Sequence, residues 1–184
     1  MGTTLAEGGR ELRLKVLEAV QERIRSLYAD TAEIMHHEEG GQRPDVLTAV
    51  MTRFGRHQDA CLGEYLFREI PGDPEGGQYF IAFISLRSDF SVKQVPELAF
   101  AVSVLNFYIE TGCFAMNQPT NLLVYRNTRT FQGDVAKETL IRECTLLMEE
   151  TYDIAAKYCT PVLALADGSI NIQEFLEMLQ EGWS

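Results

Sequence analysis

At 184 residues, the chain has the length of one domain and can bury a substantial core. A hydrophobic content of 46% with 23% charged residues is ordinary for a soluble globular protein. The sequence contains no run of about 18 apolar residues, and no basic segment leads into an apolar stretch near Met1. It therefore predicts neither a membrane span nor a signal peptide, and we expect a cytoplasmic location.

The formal net charge of −11 is concentrated in the last third of the chain, where residues 132–184 carry ten acidic and three basic side chains. An acidic surface repels phosphate groups, so we expect neither nucleic acid nor an anionic membrane as the main partner. The same charge favours solubility or attraction of a basic partner.

The four cysteines are far apart and form no CxxC pair. A disulfide framework is typical of short secreted chains, and a zinc site requires closely spaced ligand pairs. We therefore expect buried free thiols at Cys61, Cys113, Cys144 and Cys159.

The N-terminal region predicts a disordered leader over residues 1–9, followed by an amphipathic helix that begins near Glu11 and extends to about His37. Its apolar side chains recur at steps of three and four residues. They are Leu17, Val20, Ile24, Leu27, Thr31 and Ile34. This helix could dock on its own domain or pair with another chain.

The glycines of the segment 38–43 end that helix, and Pro44 is suited to begin a short helix that Gly55 stops. A strand is predicted over residues 60–70, and the Pro- and Gly-rich segment 71–77 predicts a turn. The following strand, residues 78–87, carries apolar side chains on both of its faces, which indicates that both faces are covered. Helices could cover one face, and a second subunit could cover the other.

The central segment predicts a nearly all-apolar helix from Pro96 to Thr111, followed by a hairpin with strands over residues 113–117 and 122–127. A helix that is apolar all round is expected to be buried all round. Either other elements of the chain surround it, or one of its sides is an interface. Asn106 lies in its middle, and we expect this amide to bond nearby backbone or a register-setting partner.

A last long helix is predicted from a cap at Asp134, with a kink or break at Pro161 and an end at residues 167–168. A final short helix covers residues 171–180. The segment 167–175 is similar to the second half of an EF-hand loop. However, that alignment places Leu163 and Leu165 at ligand positions, so we expect a turn and a capped helix instead of a calcium site.

Two other groups of residues could suggest metal or nucleophile chemistry. His36 and His37 are adjacent, so they lack the i, i+4 spacing of a strong helical metal site, and we expect a solvated segment there. His57, Asp59 and Cys61 lie close together but have no nucleophile elbow or oxyanion hole beside them. Arg87, Arg126 and Arg129 could form a small basic cluster, but we interpret them as partners of surface carboxylates.

In residues 103–126, a predicted helix that contains a Leu-Asn pair is followed by a glycine and two short strands. The sequence of this segment is SVLNFYIETGCFAMNQPTNLLVYR. Together with TPVLALADGSINIQEF, residues 160–175, it makes the region from about Arg43 to Gln180 resemble the YbjN family and the wider class of type III secretion chaperone-like domains. The resemblance implies an antiparallel sheet with helices packed against it, commonly a dimer, that binds protein and has no catalytic residues. The N-terminal helix departs from that pattern.

We therefore expect an α+β fold, in which helices pack against an antiparallel β-sheet, with an extra N-terminal amphipathic helix. The predicted divisions are a leader (1–9), a helical arm and linker (10–42) and the chaperone-like domain (43–184). The residues expected to serve folding or association are Leu105, Asn106, Phe107, Ile109, Tyr79, Ile81 and Phe83.

The first functional hypothesis is a noncatalytic protein-binding or regulatory domain, a homodimer without a cofactor, metal or catalytic site. The alternatives are a small metal-dependent sensor or enzyme that uses His36, His37, His57 or Cys61, and a domain that binds a small ligand between sheet and helices.

Overall fold

The computed structural model describes residues 5–37, 43–55, 59–87 and 90–183. Its helices and strands, in chain order, are α1 (Leu5–Leu27), β1 (Thr31–Met35), β2 (Val46–Phe54), β3 (Asp59–Glu69), β4 (Gln78–Arg87), α2 (Val95–Tyr108), β5 (Cys113–Asn117), β6 (Leu122–Phe131), α3 (Lys137–Ala166) and α4 (Ile172–Trp183).

The strands form one antiparallel sheet of six strands in the order β1-β2-β3-β4-β6-β5. Strands β1 to β4 follow one another as neighbours, whereas β6 pairs with β4 and leaves β5 at the far edge. The helices pack against this sheet, so the predicted α+β class is confirmed.

One face of the sheet is covered by α1 and α3, and the core lies between these two layers. Strand alternation sends Tyr65 and Phe67 of β3, and Phe80, Ala82 and Ile84 of β4, into that core. Helix α1 contributes an apolar stripe to the same core: Leu12, Val16, Leu17, Val20 and Ile24. The extra N-terminal helix therefore packs on its own chain.

The prediction for the N-terminal region is partly wrong. Helix α1 begins at Leu5, inside the predicted leader, but it is kinked at Gly9 (φ 47°), so its longer part begins close to the predicted start; the first four residues of the leader lie outside the described part of the chain. The helix ends at Leu27 because the N–H groups of both Tyr28 and Ala29 bond to the carbonyl of Ile24, which closes the last turn. The residues that follow form β1 and not a continuation of the helix to His37.

The short helix predicted after Pro44 is also wrong, because this segment is β2. Leu47, Ala49 and Met51 face the core, as strand alternation requires. Beyond Met51 the register with β3 shifts, and this irregularity turns Phe54 into the core as well. The resulting three-residue step between Met51 and Phe54 imitates helical spacing.

The C-terminal helices differ from prediction in their details. Helix α3 has Ala136, and not Asp134, at its N-terminal boundary, and it continues through Pro161 to Ala166. The segment after it is a turn with Gly168 at φ 70°, followed by α4. Asn171 Oδ1 accepts from the N–H groups of Gln173 and Glu174, so the expectation of a turn and a capped helix is confirmed.

Candidate interaction surfaces

Helix α2 is only partly buried in the single chain. Its inner side buries Leu98, Ala101 and Leu105. Its outer side and the turn before it carry four exposed apolar side chains, which we call the α2 stripe: Val92 (74% exposed), Phe100 (52%), Phe107 (82%) and Tyr108 (53%). Of the two alternatives, complete coverage of this helix by its own chain is therefore wrong, and that of an interface remains.

The position of the α2 stripe follows from helical periodicity. Phe100 and Phe107 are separated by seven residues, which is close to two turns, so they lie on the same side of the helix. Tyr108 packs edge-on against Phe107 with ring centroids 5.1 Å apart. Residues 92–108 contain only Lys93 and Glu97 as charged residues, so the surface is apolar and has no net charge.

Asn106 connects α2 to the sheet. Its side-chain Nδ2 donates to the carbonyl of Phe114 at 2.9 Å, and its Oδ1 accepts from the N–H of the same residue at 2.8 Å. The expectation that this amide satisfies nearby backbone is confirmed. Because β5 is the edge strand, Asn106 occupies the two groups that Phe114 would offer to an added strand.

The turn between α2 and β5 is fixed by two further contacts. The hydroxyl of Tyr125 donates to the carbonyl of Thr111 at 2.5 Å. Gly112 has φ 68°, and a Cβ at this position would lie 2.4 Å from that tyrosine oxygen. Any other residue would be strained and would clash, so this turn requires glycine at position 112.

The opposite edge of the sheet is protected in a related way. The carbonyl of Ala32 in β1 accepts from the Gln21 side-chain Nε2 at 2.9 Å and from the Arg25 guanidinium. Both donors belong to α1. Each edge strand thus has backbone groups engaged by a helix side chain, which disfavours association by strand addition.

The second face of the sheet has no helix packed on it in the described part of the chain. Tyr79 and Phe83 of β4 are half-buried there, and Ile81 between them is 4% exposed. Arg126 lies over the Phe83 ring, 5.7 Å from its centroid. On β4 the predicted coverage by helices on one face is therefore confirmed, whereas coverage of the other face by a second subunit stays a prediction.

Three of the residues expected to serve folding or association lie in α2, and they divide into two groups. Leu105 is fully buried and Asn106 bonds within the chain, so both serve folding. Phe107 is the most exposed large apolar side chain described. Helical projection of residues 92–108 could have identified Val92 and Phe100 as its neighbours, but an all-apolar circumference does not reveal which side faces inward.

The arginines confirm the interpretation of carboxylate partners at two positions of three. Arg87 Nη1 lies 2.6 Å from Asp167 Oδ1 at the end of α3. Arg129 pairs with Glu143 of α3 at 2.7 Å. Arg126 instead faces the opposite side of the sheet, so the three guanidinium groups form no common basic cluster.

Of the residues in the metal or enzyme alternative, His36, His37 and Cys61 belong to the described part of the chain. His36 is exposed, and its Nδ1 lies 3.7 Å from Asp45 Oδ1. That carboxylate is already bound by Arg10 at 2.7 and 2.8 Å, which holds the pKa of Asp45 down to about 2. Burial raises the pKa of the Cys61 thiol to about 12, which disfavours a reactive thiolate. His57 lies outside the described residues.

Among the described residues, no group of three or more His, Cys, Asp or Glu side chains is arranged to hold a metal ion. Within the same ranges, no helix is both long and apolar enough to span a bilayer. No protein-family model matches the chain, and a search of curated proteins gives no match. The resemblance to the YbjN family and to type III secretion chaperone-like domains thus stays a prediction.

Proposed function

We propose that this chain is a noncatalytic, cytoplasmic protein-binding domain of chaperone-like type, and that it forms a homodimer through the α2 stripe. The observation that carries the proposal is the exposure of Phe107, 82% in the single chain, within a surface that also exposes Phe100 and Tyr108. Fully burying one such side chain contributes roughly 1.5–3 kcal/mol, so three aromatic side chains in contact with water favour association.

The charge distribution supports a second copy as the occupant. Two chains of net charge −11 repel each other over most of their surfaces. The α2 stripe lies in a segment without net charge, so two copies can approach there at the lowest electrostatic cost. Two α2 helices related by a twofold axis would place each Phe107 against the apolar surface of the other chain.

The geometry of the edges supports helix packing as the mode of association. Asn106 occupies the backbone groups of Phe114 that a partner strand would use. The two sheets are therefore not expected to join through β5, and the contact is made by side chains. A stable interface of this kind usually buries at least about 1,200 Å² in total, which requires the helix together with its flanking residues.

The open face of the sheet offers a second apolar surface for a protein partner. Leu62 and Val50 are 37% and 41% exposed there, next to the half-buried Phe83. The N-terminal helix, by contrast, has its apolar stripe buried in its own core. Binding through the sheet or α2 is therefore better supported than binding through α1.

The proposal is tested by measuring solution mass by light scattering for the wild-type chain and for Phe107→Ser. We expect a dimer for the wild type and at least a tenfold weaker association for the variant, since one buried aromatic contact exceeds 1.4 kcal/mol. Because Phe107 is exposed in the single chain, the variant is expected to keep the native circular dichroism spectrum, so that a lower mass reports lost association and not unfolding.

Leu62→Ser, on the open sheet face, is the matched control and should leave the dimer intact. A photo-crosslinker at position 107 would identify the occupant directly by joining two chains. A wild-type chain that is monomeric at high concentration, or that crosslinks at position 107 only to other proteins, would contradict the homodimer. A chain that in addition captures no protein would contradict the binding function.

A further inference from the structure

A cleft of about 670 Å³ lies between the start of α1 and the turn that joins β3 to β4. Gly9 and Arg13 border it on the helix side, and residues 69–78 border it on the sheet side. It is separate from the α2 stripe and is lined by none of its residues.

The wall formed by the turn is held by hydrogen bonds within the turn. Both carboxylate oxygens of Asp73 accept hydrogen bonds from the backbone of the turn. Oδ1 accepts from the N–H of Glu75 at 3.0 Å, and Oδ2 accepts from the N–H of Gly77 at 2.9 Å. The N–H of Ile70 also donates to the carbonyl of Gly77 at 3.0 Å. The turn therefore presents a preformed surface to the cleft.

Gln78 is the residue that points to a ligand. It is only 4% exposed, it lines the cleft, and its side-chain Oε1 has no hydrogen-bond partner among the described residues. It follows the same alternation as Phe80, two residues further along β4, so its side chain lies on the side of the sheet that α1 covers. A buried acceptor without a donor costs free energy, and a ligand with N–H groups would recover it.

Glu69 provides a charge beside this acceptor. It is the direct cross-strand partner of Gln78, so the two side chains leave neighbouring strands on the same face of the sheet. Glu75 adds a second exposed carboxylate from the turn. Arg13 opposes them from α1, and with the carboxylate of Asp73 the lining has three acidic groups and one basic group.

We propose that this cleft binds an aliphatic ammonium group, with N–H donation to Gln78 Oε1 and charge pairing with Glu69. The ammonium group can belong to a free polyamine or to a lysine side chain of a protein. Anions are excluded by the net negative lining, and the arrangement does not depend on the proposed dimer.

The test is a titration of the full-length chain with spermidine, followed by two-dimensional NMR and calorimetry. We expect saturable shifts at the Gln78 side-chain amide and at the backbone amides of Gly9 and Gly76. Spermidine with all of its nitrogens permethylated to quaternary ammonium groups keeps the three positive charges but has no N–H donor, and it should bind at least about tenfold more weakly. An acetylated peptide with one lysine, titrated in parallel, distinguishes the two sources of the ammonium group.

Three variants make the test specific. Gln78→Met retains the size of the side chain and removes the acceptor, so spermidine binding should weaken about tenfold or more, while folding is preserved. Arg13→Gln removes the opposing positive charge and should tighten binding several-fold. Glu138→Gln, at the start of α3 outside the cleft, is the control and should have no effect.

Absence of saturable binding by both spermidine and the peptide would overturn the proposal. Equal affinity of spermidine and its permethylated form, or unchanged affinity in Gln78→Met, would also overturn it, because the binding would then be nonspecific attraction to an acidic chain. These outcomes are independent of the solution mass, so this site and the α2 contact can fail separately.

Discussion

Two buried tyrosines on the same face of the sheet offer an internally controlled test of its hydrogen bonding. Tyr65 of β3 and Tyr125 of β6 are both fully buried. The hydroxyl of Tyr125 donates to the Thr111 carbonyl at 2.5 Å, whereas the hydroxyl of Tyr65 has no partner among the described residues. The same Tyr→Phe change should therefore have opposite effects at the two positions.

The expected magnitudes follow from the cost of an unsatisfied buried group. Tyr65→Phe removes a hydroxyl that costs about 1–3 kcal/mol when it is left unpaired, so we expect the free energy of unfolding to rise by about 1 kcal/mol. Tyr125→Phe loses a hydrogen bond and leaves the Thr111 carbonyl without this donor, so we expect a loss of about 1–2 kcal/mol. For a domain of this length, each kcal/mol corresponds to roughly 2–4 °C in melting temperature.

Calorimetry or urea denaturation of the two variants, with the m-values compared, measures both effects. Equal destabilisation by Tyr65→Phe and Tyr125→Phe would refute the reasoning, since it would mean that ordered water or another group bonds the Tyr65 hydroxyl. Stabilisation by Tyr65→Phe alone would confirm that this position contains an uncompensated polar group.

Three further predictions concern the fixed points of the fold. Asn106→Leu should cost about 1–3 kcal/mol in urea denaturation, because it leaves the N–H and carbonyl of Phe114 unpaired, and Leu105→Ala should cost about 2–5 kcal/mol by opening a cavity; native stability of both would contradict the role of this helix. Asp45→Asn should remove about 1–2 kcal/mol at neutral pH but little at pH 2. Because the pKa of this carboxyl is lowered in the folded chain, its contribution to the free energy of unfolding is fully present above pH 3.8 and is lost as the pH falls toward about 2. For Cys61, whose pKa rises from 9.0 to about 12, the stability present below pH 9 is lost as the pH rises toward 12. Stability curves should show about 1 kcal/mol of this loss by pH 10, and Cys61→Ala should lack it.

Much of the sheet was predictable because its central strands alternate or are continuously apolar between clear turn signals. Strands β3 and β4 and the turn between them occur where the sequence predicts them. Strand β2 was not predictable in this way, because its irregular register after Met51 places Phe54 in the core and breaks the alternation. The β-branched residues Val46, Thr48 and Val50 were the available signal for a strand.

The α2 stripe and the cleft were harder to predict from the sequence than the strands were. The apolar circumference of α2 predicts the presence of an interface but not which side is outward, since that depends on where Asn106 meets Phe114. The cleft depends on Glu69 and Gln78 being cross-strand partners, which is set by the length of the β3–β4 turn. Such pairings arise from register, and residue types alone do not specify them.

The two hydrogen bonds from the Asn106 side chain to Phe114 also link the exposure of the inner side of α2 to the exposure of the backbone of β5. If α2 detaches locally, the inner residues Leu98 and Leu105 become exposed at the same moment as the backbone of β5. An opened apolar helix beside an unpaired edge strand is the kind of species that aggregates during folding and storage. The amide of Phe114 should therefore exchange its hydrogen only when α2 leaves the sheet, and its protection reports how rarely that opening occurs.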